Sequence, residues 1–408
     1  MQYAIDRFQK QLFVFLLYSS AFFGIVTDLA KINSKTPFYA AFDLIIILLA
    51  LTSFSYLKGT LAYITIFIIA GIGFNMSYSG ASTFATLNGA REIIVIPALV
   101  VFLKKIFSED EETIGEYLMI MKKFGFIFLL AQLPVAAYQF SVSGPSDAVG
   151  GTFGNMGSGV LTLSVICLVY YLHFFSRNFT QTIFLYIALT PLLLNETKIS
   201  FILIPMMVLS IHFKPKFKNI VLAVVAAGLF LFIFDSYYSH GSLEFDDNVS
   251  GIFSADFLND YLMADIYEYE DIPRFTKIIL SWNLLSQQVN TFFFGMEYGL
   301  FKGDNFSDLS TFARNYYWLL IGTRPYLFFL LMQGGICLFG GIMWLLLYIN
   351  NYFKNINNLK IFLFILFLLI LMYNDTFRNH TFMIIYLFIV FFANSKWCSE
   401  GVEIREVS

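Results

Sequence analysis

The chain has 408 residues, of which 58% are hydrophobic and only 13% charged, and a mean hydropathy of +0.71. A soluble domain carries about a quarter of its residues as charges, so a water-covered globule is excluded. The net charge of -3 offers no basic surface for nucleic acid, and Cys167, Cys337 and Cys398 match no metal-ligand spacing or disulfide framework.

Taken in chain order, the first apolar run follows Met1-Gln2-Tyr3-Ala4-Ile5-Asp6 and has no small-residue cleavage site after it. It therefore reads as a retained helix rather than a removed signal. A span needs about 20 apolar residues to cross the hydrocarbon core. Twelve stretches qualify, at 11–30, 38–57, 60–76, 89–107, 117–140, 158–176, 179–196, 198–213, 219–236, 324–350, 359–374 and 377–394. The expected fold is an all-α integral membrane protein of about 12 transmembrane helices with one large periplasmic loop. It divides into 1–236 (helices 1–9), 237–323 (the loop, with interfacial helices) and 324–408 (helices 10–12 and a cytoplasmic tail).

Lysine and arginine stay on the cytoplasmic side. With the N-terminus inside, the inner segments carry Arg7 and Lys10, Lys58, Lys104 and Lys105, Arg177, the Lys214–Lys218 run, Lys354 and Lys360, then Lys396 and Arg405. The Ser141–Gly157 loop, on the other side, has none. Both termini are thus expected in the cytoplasm. Arg91, Lys198, Arg274, Arg324 and Arg378 then fall outside, beside or within apolar sequence. A charge near hydrocarbon costs a few kcal/mol and faces a cavity or a partner.

The long loop runs from Ser236 to about Thr323, a length that calls for function or a subdomain. Its first half is acidic, from Glu244 to Asp271, and holds no lysine or arginine. After Pro273 the spacing of Phe275, Ile278, Ile279, Trp282 and Leu285 predicts a helix with one apolar stripe, lying in the interface or dipping into the bundle. Gly295, Gly299 and Gly303 follow, at a density that suits tight turns or close backbone approach.

No phosphate-binding Gly-Lys-Ser/Thr loop is present. His173, His212, His240 and His380 are not paired at metal-ligand spacing, so no metal or other cofactor is expected. The spans are nearly free of carboxylates, unlike those of a proton-coupled transporter. Glu92 and Glu196 sit at outer span ends beside Arg91 and Lys198, and Asp375 stands near Arg378. Fixed cations on the outer face of an apolar bundle suit a lipid-linked phosphate or diphosphate, which a guanidinium grips with a planar fork.

Several pieces together resemble the bacterial O-antigen polymerase and O-antigen ligase family. They are Asn88-Gly89-Ala90-Arg91, Gly150-Gly151-Thr152-Phe153-Gly154-Asn155, Asn195-Glu196-Thr197-Lys198-Ile199-Ser200, Arg274 through Trp282 to Gly295, and Gly322-Thr323-Arg324-Pro325-Tyr326 ahead of Gly334-Gly335. Ten residues separate Arg324 from Gly335, a spacing similar to that of polymerases. The resemblance implies a GT-C-like, metal-independent glycosyltransferase of the inner (plasma) membrane. Its donor is a glycan on undecaprenyl diphosphate at the outer leaflet. Its acceptor is a second lipid-linked repeat unit (polymerase) or lipid A-core (ligase), and a protein regulator of chain length is an implied partner. By resemblance Arg274, Arg324 and Glu196 are catalytic candidates. Arg91, Lys198, Asn155, Arg378 and His380 are candidates for substrate binding, with Glu196, Asp375 or His380 as a general base. Ligases carry a histidine in the large loop near the position of Arg324. This chain has none between His240 and His380, which favours polymerase. A lipid-linked oligosaccharide flippase remains the non-enzymatic alternative, although it calls for two related halves with charges deep in the spans.

Overall fold

Inside hydrocarbon a chain must satisfy its own backbone hydrogen bonds, and a helix does so locally. A computed structural model describes residues 2–32, 35–80, 83–144, 148–155, 157–176, 178–195, 197, 199–212, 272, 274–300, 316–320, 322, 324–352 and 357–399. Among these residues the secondary structure is helical, with no strand.

The helices are α1 (Gln2–Leu29), α2 (Thr36–Leu51), α3 (Thr60–Tyr78), α4 (Thr83–Ile106), α5 (Glu111–Ser143), α6 (Ser158–His173), α7 (Phe179–Ile187), α8 (Pro191–Leu194) and α9 (Ser200–His212). After the gap in description come α10 (Arg274–Leu285), α11 (Val289–Phe294), α12 (Tyr317–Leu320), α13 (Tyr326–Tyr352), α14 (Asn358–Tyr373), α15 (His380–Asn394) and α16 (Lys396–Ser399). Helix occupies each apolar stretch of the sequence except 219–236, which lies outside the described residues. Five helices are long and apolar enough to cross a membrane: Ala4–Leu29, Thr60–Tyr78, Thr83–Ile106, Glu111–Ser143 and Tyr326–Asn350. Beside them, α2, α6, α9, α14 and α15 are shorter apolar helices. Their outer faces carry large apolar side chains in the open, such as Tyr63 at 69% and Ile66 at 62% exposure. That surface suits lipid, not water.

Two boundaries differ from the sequence reading. The 179–196 stretch is two helices, because Pro191 brings no N–H and starts a new first turn. Helix α1 begins at Gln2 rather than near residue 11, since its polar first turns have partners: Lys105 Nζ donates to Asp6 Oδ1 at 2.7 Å and to Gln9 Oε1 at 2.5 Å.

Helix α15 is the axis of the bundle. Every residue from His380 to Asn394 is buried, as befits a helix that is apolar all round. It packs on α1, α4, α6, α13 and α14. Aromatic rings fill the space: Phe13 lies against Phe102, Tyr117 and Phe388, and Phe392 against Tyr171 and Phe174.

The basic residues Lys10, Lys105 and Lys396 gather at one end. Lys10 pairs with Glu116 at 2.8 Å, and Lys396 pairs with Glu111. Arg91 lies fourteen residues before Lys105 on α4, about 21 Å along the axis. The two groups of cations are therefore held at different levels of the bundle. Near Lys105, burial raises the Glu109 carboxyl above its usual range, against the pull of Lys105. A carboxyl so raised holds its proton more tightly when folded. The stability it contributes is full below the unfolded value and is lost as pH rises through the folded one. Glu109→Gln is expected to raise the unfolding midpoint in detergent at neutral pH, with the difference closing at acid pH.

The second half of the long loop docks through glycines. A Cβ at Gly89 would strike the backbone of Gly299, which has φ +94. Gly295, at φ +80, lies against the backbone of Gln333 and Gly334, where α13 breaks at Gly335. Met296 N–H donates to Met332 O at 2.8 Å, Asn75 Nδ2 to Phe294 O at 2.7 Å, and the Tyr78 hydroxyl to Gly295 O at 2.5 Å. These bonds satisfy carbonyls and an amide at the break.

Helix α10 forms where the spacing predicts it, but its buried face is not the apolar stripe alone. Lys277, Ser281 and Leu285 are buried, while Phe275, Ile279 and Trp282 are 38–46% exposed. The helix packs on α13 and α14, with Ile278, Leu280 and Leu284 against a small apolar cluster that includes Phe328 and Met332, and leaves its aromatic rings open. This fits an interfacial helix more closely than one inserted in the bundle.

Candidate functional site

The site is built on the turn between α14 and α15. Helix α14 ends at Tyr373, the chain passes through Asn374 and Asp375 into a single 3-10 turn (Thr376–Arg378), and Asn379 caps α15 by accepting from Phe382 N–H at 3.2 Å. Helix α15 is buried throughout and α14 along one face, so the turn is held from two sides. Asn379→Ala is expected to cost about 1 kcal/mol, seen as a lower unfolding midpoint in detergent.

Four arginines gather around this turn. Arg378 belongs to it, and donates from Nη1 to Asp375 Oδ2 at 2.8 Å and from Nη2 to Glu92 Oε2 at 3.1 Å. Its guanidinium carbon lies 4.5 Å from the Phe329 ring centre, a cation–π contact. Arg324, just before α13, lies 3.7 Å from Asp375 and donates to Leu320 O at 3.3 Å. Arg274, at the start of α10, sits with its guanidinium carbon 4.5 Å over the ring of Tyr373. Arg91 on α4 reaches the turn through Asp43 of α2: its Nη1 is 3.1 Å from Asp43 Oδ2, while His380 Nε2 is 2.6 Å from Asp43 Oδ1.

The structure thus brings Arg91, Arg274, Arg324, Arg378 and His380 to one place. Asn155 stands on a neighbouring loop. That loop is fastened down by α5: Gln132 accepts from Thr152 N–H at 2.9 Å, and Gln139 accepts from Gly151 N–H at 2.7 Å. Gly24 of α1 leaves room for the Phe153 backbone, and Asp28 accepts from Asn155 N–H at 3.0 Å. Gly159, at the start of α6, faces Asn374 and Thr376, so this loop borders the turn. Glu196 and Lys198 lie outside the described residues.

Among the described residues, four guanidiniums and three carboxylates meet here. Exposure divides them. The side chains of Arg91 and Arg378 are 15% and 16% exposed and hold short ion pairs. Arg324 is 25% exposed, and its contact to Asp375 is long. Arg324 is thus the most open of these three, and Arg91 and Arg378 are set deeper. Among the described residues no group of three metal-ligating side chains converges.

Sequence reasoning missed Asp43. It is the single charged residue of α2, buried at 3% exposure, and it joins Arg91 to His380. The available signal was a lone carboxylate inside an apolar helix, which marks a site by default. It also missed Lys277, one turn beyond Arg274 and fully buried.

Compared with known proteins, the chain matches no family model and no curated protein. Its class rests on its own architecture: an all-helical chain, among the described residues, with five helices of membrane-crossing length and apolarity.

Proposed function

We propose that the chain is a membrane glycosyltransferase that extends a glycan carried on a lipid diphosphate, with undecaprenyl-diphosphate-linked repeat units as donor and acceptor. On this reading it has about 12 spans in the inner membrane, both termini are cytoplasmic, and the 237–323 loop and the arginine cluster lie on the outer side. A protein regulator of chain length is a further partner. The carrying observation is the set of four arginines around the Tyr373–His380 turn. Fixed cations in a poorly hydrated place stabilise the charge that builds on a departing diphosphate. The acceptor hydroxyl attacks the anomeric carbon, the bond to the diphosphate oxygen breaks, and Arg324 and Arg274 receive the leaving group.

One observation favours a second reading. Ligases carry a histidine near the position of Arg324, and no such histidine precedes Arg324 in the large loop. Here His380 shares a turn with Arg378 and Asp375, and Asp375 in turn faces Arg324. A histidine therefore stands in the same cluster by a different route along the chain, which suits a ligase using lipid A-core as acceptor.

The test is purified protein in vesicles, given a synthetic lipid-diphosphate repeat unit. Polymerase action is expected to yield longer glycans on lipid and free undecaprenyl diphosphate. Transfer seen only when lipid A-core is supplied would make the chain a ligase. Passage of intact substrate across the bilayer with no new glycosidic bond would make it a flippase.

A further inference from the structure

His380 is held in one orientation from three directions. Asp43 Oδ1 lies 2.6 Å from its Nε2. Tyr39 stacks on the imidazole face, with centroids 5.7 Å apart and planes at 16°, and Phe42 meets it edge-on at 5.7 Å. All three partners come from α2, so consecutive turns of one helix form the clamp. Asp43 is itself fixed, because Arg91 holds its second oxygen at 3.1 Å. A carboxylate only accepts, so the shared hydrogen belongs to Nε2 and the lone pair is left on Nδ1. This is the arrangement of a base whose ring is oriented by an acid. Asp375 and Glu92, the other acidic groups of the cluster, both have guanidiniums on their oxygens.

We propose that His380 is the general base of the transfer and that Asp43 is its positioning residue, a proposal that rests on the transferase reading above. In the step, the acceptor hydroxyl oxygen forms a bond to the anomeric carbon of the donor. Its proton passes to Nδ1 of His380. The anomeric carbon–oxygen bond to the lipid diphosphate breaks, and the electron pair leaves on the diphosphate. The imidazolium that results is balanced by Asp43, and its proton returns to water or to the released diphosphate. The charged and titratable groups that face the imidazole are Asp43 and Tyr39 from α2, Arg91 and Glu92 from α4, and Asp375 and Arg378 from its own turn.

The experiment uses the full chain in vesicles with the synthetic lipid-diphosphate repeat unit, measuring kcat and KM across pH. Across about pH 5 to 9, kcat of the unaltered protein is expected to rise to a plateau as the lone pair of the base becomes available. His380→Ala is expected to lower kcat at least ~100-fold with little change in KM, and added imidazole to restore part of the rate. Asp43→Asn is expected to lower kcat and displace the acid limb of the profile, with Asp43→Glu recovering part of both. Three results overturn the proposal while leaving the transferase reading intact: an unaltered protein whose kcat is flat through that pH range, a His380→Gln variant within threefold of it, or His380→Ala loss that imidazole leaves untouched. An unaltered protein that transfers no sugar overturns the transferase reading, and the proposal with it. The pH profile and the rescue need no comparison of fold between variants.

Discussion

Arg324→Ala is expected to lower glycan extension roughly 10²–10³-fold while the protein still inserts and purifies as a folded species. Among the described residues Arg324 is the most open of the ion-paired arginines, and its contact to Asp375 is long, at 3.7 Å. A surface-like pair of this kind contributes little stability, so its removal is a test of chemistry rather than of folding. Arg274→Ala is expected to act in the same direction, since its guanidinium lies over Tyr373 at the edge of the same turn. Arg324→Lys keeps the charge but loses the planar fork, and an intermediate rate is expected. Rates are read as release of lipid diphosphate from the synthetic substrate, beside a glycan ladder in cells. Full-length ladders from both alanine variants would end the assignment of these residues. Arg378→Ala is not an equivalent test, because it strips Glu92 and Asp375 of a buried partner and so confounds rate with stability.

Gly89→Val is expected to be the most damaging single change to the fold, costing about 3 kcal/mol. Any Cβ at that position runs into the backbone of Gly299, which cannot swing aside as a side-chain tip can. The damage falls on the junction of α4 with the loop, two residues from Arg91, so activity should fall along with the unfolding midpoint. Gly73 supplies the contrast. A Cβ there meets nothing within 4 Å, and alanine has the better helix propensity. Gly73→Ala is expected to leave the midpoint unchanged or slightly raised. Thermal unfolding in detergent compares the two, and equal midpoints would remove the glycine contact from the account of this junction.

Much of the helix content was legible because an apolar run of sufficient length has one economical backbone solution in lipid. The ends were less so. Gln9 and Asp6 extend α1 because Lys105, far along the sequence, supplies their partner, and Pro191 divides a run whose hydropathy is continuous. The cations Arg91, Arg274, Arg324 and Arg378 could be picked out as charges beside hydrocarbon. Their common turn could not, because it depends on how α4, α10, α13 and α15 pack. Asp43 escaped notice for the opposite reason: it is a single acid among apolar neighbours, with no pattern around it. The glycines were visible as clusters, but the pairing of Gly89 with Gly299, and of Gly295 with the α13 backbone, belongs to tertiary structure. The helix at α10 was legible from its apolar spacing, but the burial of Lys277 and Ser281 was not, because it depends on how the helix packs.

The interruption of α13 at Gly335 bears on how the chain is assembled. A helix broken amid apolar surroundings leaves carbonyls that its own next turn cannot cover. Asn75 of α3 and Met296 from the loop reach those atoms and the facing segment. The chain from residue 324 onward is therefore not self-contained: its first helix is completed by contacts from α3 and residues 294–299.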